Sequence, residues 1–198
     1  MKRNAKNEII VLPTDTLYGI CTSAFDEKAV EKIYDIKGRD ENKPFIVLIS
    51  KLKDLEDFGI SSELIRTHKK LLNTLWPGKV SVILPIEKKS WKEFAYLHRG
   101  QKSFAFRMPK KKSLQRILTE IGPLVAPSAN PQGLKPATNI REAKLYFGNK
   151  VDTYISGGKL IGSPSTIIEV TKDGNVKLVR EGAVRVELSN HLSVSKNK

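Results

Sequence analysis

The chain has 198 residues, ample length for one domain with a real core, and one cysteine, Cys21, which excludes an internal disulfide framework. His68, His98 and His191 are too scattered for metal-ligand spacing, and no apolar run nears the roughly 20 residues of a membrane span. A net charge of +14 favours partners that carry phosphates, although 26 of the 35 cations are Lys, the composition of a dispersed, solvated surface. These features lead us to expect a soluble cytoplasmic protein with no structural metal and no membrane contact.

In chain order, EIIVL (8–12) reads as a strand running into the turn PTDT. Asp26 is placed to cap a helix through about Lys37, with Ala29, Val30, Ile33 and Tyr34 on one face and Gly38 as its stop. FIVLIS (45–50) is a continuous apolar run, the pattern of a strand covered on both faces. Ser61 or Ser62 opens a second helix in which Leu64, Ile65, His68, Leu71, Leu72 and Leu75 recur at helical spacing, and WPG ends it. KVSVILPI is strand-like, and 87–101 reads as a basic connection.

The second half repeats the alternation. SFAFRM (103–108) predicts a strand, SLQRILTEI (113–121) a helix capped by Ser113, and LVA a short strand. A helix from about Asn139 to Phe147 follows, then strands at VDTYIS and STIIEV, and a hairpin turn at Asp173-Gly174 before NVKLVR. Strands alternating with helices, closed by a hairpin, predict an α/β fold on a mixed sheet with flanking helices. One domain is expected over 1–186, with 187–198 as a flexible tail.

Polar clusters stand where strands end, the place where open α/β sheets bind ligands. PTDTLYG (13–19) puts two hydroxyls and a carboxylate after a strand, a pattern that on its own more often makes a local Asx or hydroxyl-capped turn. KGRDENK (37–43) gathers three cations at a helix end, suited to the helix dipole or to a phosphate clamp. Arg107 ends an otherwise buried strand, so it either reaches solvent or fixes an anion. VAPSAN brings Ser128 and Asn130 after the LVA strand, and GGKLIGSPSTIIEV brings Ser165 and Thr166 into another. No GxxxxGK[ST] or GxGxxG occurs, so a nucleotide site must be assembled from separate loops.

Taken in order, PTDTLYG, KGRxxxKP, WPG, FRMP, APSAN, STIIEV and VREG resemble the YrdC/Sua5 family of threonylcarbamoyl-AMP synthases over about residues 7–186, in its short single-domain bacterial form. The resemblance implies a twisted open sheet with a basic concave face. It also implies a nucleotidyltransferase reaction. L-threonine, bicarbonate or CO2, and ATP with Mg2+ give L-threonylcarbamoyladenylate and diphosphate, for t6A formation at adenosine 37 of tRNAs that read codons beginning with A. By the same resemblance, Lys37, Arg39, Lys43, Ser103, Ser128, Asn130 and Arg180 bind ATP, with Lys37 and Arg39 stabilising charge. Thr16, Arg107, Ala126 and Ser165 hold threonine, and Arg107 takes its carboxylate. No covalent nucleophile is implied. Expected partners are the threonylcarbamoyl transferase complex, which receives the product, and tRNA or double-stranded RNA. Leu48 replaces a His found in many relatives, Pro136 stands near their Ser, and Ser103 replaces Thr. The rival readings are an RNA-binding or ribosome-maturation protein on the same fold and, less favoured, a carbamoyl-transfer unit of a hydrogenase-maturation enzyme.

Overall fold

A computed structural model describes residues 8–171, 173–187 and 193–196. The first strand, β1 (Ile10–Pro13), turns at once into β2 (Tyr18–Ser23), its antiparallel partner. Strand β2 is not among the expected strands, because Gly19 and the polar turn before it hide its alternation. Helix α1 (Glu27–Lys37) starts where expected: the Asp26 carboxylate accepts from Ala29 N, and Gly38 ends the helix at φ 56°, a left-handed geometry that glycine adopts without steric cost.

The run 45–50 contributes only β3 (Ile46–Leu48) as a strand, with Val47 and Leu48 fully buried. After a 3-10 turn at Leu52–Phe58, the expected second helix is two, α2 (Ser62–Thr67) and α3 (Lys69–Leu75), with Ser61 as the cap. The break falls at His68, whose ring nitrogens lie 3.1 Å from Leu64 O and 3.3 Å from Gly174 O. Strand β4 (Val80–Pro85) follows. The stretch read as a basic connection instead holds α4 (Ala95–His98) and buries Phe94 and Leu97, so its apolar residues are core.

Strand β5 (Ser103–Arg107) leads to α5 (Lys112–Ile121). Ser113 lies inside that helix rather than capping it; Lys111 holds the cap position with no side-chain hydrogen bond. Next come β6 (Leu124–Val125), α6 (Ile140–Phe147), capped by Asn139 as expected, and β7 (Thr153–Tyr154). Strands β8 (Thr166–Val170) and β9 (Val176–Arg180) form the expected hairpin. Strand β10 (Val184–Glu187) pairs with β11 (Ser193–Lys196), within the segment expected as a tail; 188–192 and 197–198 lie outside the described residues.

Among the described residues one mixed sheet runs β7-β1-β2-β6-β3-β5-β4-β8-β9. Side chains alternate across it, as strand geometry requires. Val11, Tyr18, Ile20, Val47, Val82, Phe104, Phe106 and Ile168 enter a large core with α1, α3 and α4. Leu12, Cys21 and Leu48 point the other way and meet Leu114 and Leu118 of α5. That helix is too short to cover this second face completely, and the strands beyond it meet the site.

Candidate functional site

The uncovered half of the second face floors a cavity of about 430 Å³. Cross-strand register sets Ile46, Ala105, Ile83 and Glu169 in one row along that floor. Arg180 reaches it through a bulge. Ile168 is opposite Leu178 but Ile167 is opposite Arg180, so Val179 is the extra residue and Arg180 is carried onto the cavity side. Arg180 Nη2 then donates to Ser165 O at 2.7 Å.

Three loops close the walls. In the first, Thr14 Oγ1 donates to Leu17 O at 2.7 Å and accepts from Thr16 N and Leu17 N, so the cluster does form the hydroxyl-capped turn. That turn presents Thr16 to the cavity, with its hydroxyl 3.0 Å from that of Thr14. The second loop continues β6 beside β2: Ala129 N donates to Tyr18 O, Ala129 is buried in the core, and Ala126 and Ser128, on the opposite parity, line the cavity. The third is the strap 156–165. Gly162 passes so near Thr16 that an added Cβ would lie 2.5 Å from the Thr16 carbonyl oxygen, while the Tyr18 hydroxyl donates to Gly158 O. Ser165 ends the strap, its Oγ 2.9 Å from Ser81 Oγ.

Of the residues expected to bind ATP or threonine, Thr16, Arg39, Ser103, Arg107, Ala126, Ser128, Ser165 and Arg180 line this one cavity. Lys37, Lys43 and Asn130 do not. Lys37 is buried, and its Nζ donates to Ser128 O at 2.6 Å and to Asn130 O. Burial, and then the charge of Arg39, push its pKa down to about 7. Asn130 fixes the same loop: its Oδ1 accepts from Ser128 Oγ at 2.6 Å, and its amide donates to Pro131 O and Leu134 O. Lys43 is exposed and paired with Asp40 at 3.3 Å. Leu48, the departure from His, is wholly buried against α5 and serves packing. Cys21 is buried beside it, with its thiol pushed up to about 12 by that burial.

The electrostatics are those of an anion site. Arg39 stacks over Phe45, 5.2 Å from the ring centre, and its Nε donates to Lys43 O at 3.1 Å. Burial lowers the pKa of both Arg39 and Arg180, and the charge of Arg39 lowers that of Arg180 further; both line the cavity. Among the described lining residues Glu169 is the one carboxylate, and it pairs with Lys177 at 3.0 Å. The sequence reading missed Asp15, whose carboxylate binds the Nη1 of Arg107. Its signal was the acid in PTDT, but the partner lies 92 positions away.

A mixed α/β sheet whose strand-end loops aim guanidiniums and small hydroxyls at one open half-face defines a binder of small anionic ligands, of the kind that carry phosphate or carboxylate. The chain belongs to the Sua5/YciO/YrdC family, whose profile, described as telomere recombination, matches residues 3–182. It is 32% identical over 184 residues to the threonylcarbamoyl-AMP synthase of Pyrococcus abyssi, covering 92% of this chain and 52% of that one. The structure of P. abyssi Sua5 complexed with L-threonine superposes with a TM-score of 0.79 at 29% identity, over 90% of this chain and 51% of that one. E. coli YciO superposes with a TM-score of 0.72 at 27% identity, over 88% and 83%. The chain thus spans about half the length of the first curated relatives it matches.

Proposed function

We propose that this protein is an L-threonylcarbamoyladenylate synthase, a nucleotidyltransferase that condenses L-threonine, bicarbonate or CO2, and Mg·ATP with release of diphosphate. The observation that carries the reading is the convergence of Arg39, Arg180, Arg107 and three hydroxyls, Thr16, Ser128 and Ser165, on one cavity. The relatives' names and the threonine complex of P. abyssi Sua5 support it.

The threonine α-amine bonds to CO2 and releases a proton to solvent, giving a carbamate. A carbamate oxygen bonds to the α-phosphorus of ATP, and the bond from that phosphorus to the β-bridging oxygen breaks, so diphosphate leaves. Negative charge grows on the phosphates, and Arg39 and Arg180 stabilise it from fixed positions. Ser128 forms the opposite wall: its one hydroxyl proton goes to Asn130 Oδ1 and its carbonyl is gripped by Lys37, so it shapes the seat of the nucleotide rather than donating to it. Arg107, Thr16 and Ser165 hold threonine so that its amine and the phosphate meet; this positioning supplies much of the rate. Ile46, Ala105 and Ile83 give part of the floor an apolar surface. No group of three or more His, Cys, Asp or Glu side chains suited to a metal ion occurs among the described residues, so Mg2+ is assigned to the substrate phosphates.

We place the reaction in the cytoplasm, feeding a threonylcarbamoyl transferase that modifies tRNA to t6A. No described helix is long and apolar enough to cross a membrane. The test is mass spectrometry of purified protein with ATP, Mg2+, threonine and bicarbonate. Threonylcarbamoyl-AMP should form only when all are present. No adenylate, together with tight binding of duplex RNA, would establish the RNA-binding reading instead.

A further inference from the structure

Asp15 does not line the cavity but stands directly behind Arg107, which does: the Asp15 side chain is 8% exposed and that of Arg107 only 4%. One carboxylate oxygen accepts from Arg107 Nη1 and the other from Lys110 N at 3.1 Å. Among the described residues Arg107 Nε is buried with no partner, so no hydrogen bond from them at that atom fixes the plane of the guanidinium. Arg107 lines the cavity, and so does Thr16, the residue after Asp15.

We propose that Asp15 is the positioning residue of the threonine pocket: it grips Arg107 by one edge and turns the remaining donors toward the substrate carboxylate. Three observations converge on this. The pair joins the turn 13–17 to the end of β5, which are the two walls that carry Thr16 and Arg107. The amide of Lys110 takes the second oxygen, so the carboxylate itself cannot rotate away. A buried guanidinium without a counter-charge is costly, and Asp15 removes that cost while leaving part of the donor fork unspent. An amino-acid carboxylate would then meet a guanidinium already oriented for it.

The inference rests on the synthase reading, so binding and turnover are measured separately. Asp15→Asn keeps the shape but offers one acceptor where two are needed, so either Nη1 or the Lys110 amide faces an NH2 group. Titration calorimetry should show threonine binding weakened about tenfold or more, with ATP binding changed by less than about threefold. Asp15→Glu, which restores both oxygens, should recover part of the loss. Combined with Arg107→Lys, Asp15→Asn should add nothing further, because it acts only through Arg107. Equal losses for ATP and threonine, or an additive double variant, would overturn the proposal. If Asp15→Asn does not fold, Asp15→Glu alone decides: a selective rise in the threonine dissociation constant supports the role, and none refutes it. Wild type that binds threonine yet forms no adenylate leaves this inference standing and sinks the synthase reading.

Discussion

The two faces of the sheet were built from the same strands and put to different uses. On β5, Phe104 and Phe106 point into a core of edge-on rings with Phe58 and Phe94, while Ser103, Ala105 and Arg107 line the cavity. On β4 and β8 the same parity separates Val82 and Ile168 from Ile83, Ile167 and Glu169. Helix α5 closes only the part of the second face that holds Leu12, Leu48 and Leu124. A strand pattern therefore stabilises the fold through one parity and carries the chemistry on the other. Substitutions one residue apart should fail in different ways.

The largest effect belongs to the core face. Phe106→Ala should cost about 3–5 kcal/mol of stability, read from denaturant unfolding, since it empties a filled aromatic site. A smaller loss would mean that the rings repack and the two parities are less distinct than the burial pattern says.

On the cavity face, Arg39→Ala should leave unfolding nearly unchanged but weaken ATP binding by about 2–4 kcal/mol, the range for losing a desolvated charged contact. Lys88→Ala and Lys89→Ala, at the exposed lysines of the 3-10 turn Lys88–Ser90, should do little. Equal effects at both places would replace the clamp with a diffuse field.

Lys37 sharpens the comparison because it is buried like the core yet serves the cavity wall. Lys37→Met should weaken ATP binding by about 1–3 kcal/mol through loss of its grip on the 128–130 loop. Its pH signature follows from a folded pKa of about 7 against 10.5 unfolded. Between those values the unfolded chain holds the proton and the folded chain releases it, so folding stability rises with pH across that window. Below pH 7 the full cost of a buried ammonium is present. Urea titrations at pH 7 and pH 9 should show wild type gaining stability relative to Lys37→Met; equal gains would show that the amine is not the titrating group.

Lys43 should give the smallest effect. Exposed and paired with Asp40, it should change ATP affinity by less than about fivefold on replacement with Ala.

The sequence carried the alternation of elements, the caps at Asp26 and Asn139 and the strand-end motifs, because those signals are local. What it hid was non-local. Lys37 looks like a phosphate ligand beside Arg39, but its amine is occupied by carbonyl groups 91 and 93 positions away. Arg180 depends on a bulge that places Val179 out of register, which no periodicity reveals. Strand β2 was masked by Gly19, and the buried Phe94 and Leu97 were masked by the lysines around them.

The central claim is that one cavity holds two substrates, with threonine at Arg107 and ATP at Arg39. Steady-state kinetics of adenylate formation by Arg107→Lys and Arg39→Ala, each substrate varied in turn, tests it directly. An ammonium cannot reproduce the bidentate grip of a guanidinium on a carboxylate, so Arg107→Lys should raise the KM for threonine far more than that for ATP. Arg39→Ala should do the reverse. If Arg107→Lys instead impairs ATP alone, Arg107 belongs to the phosphate clamp and the division of the cavity is wrong.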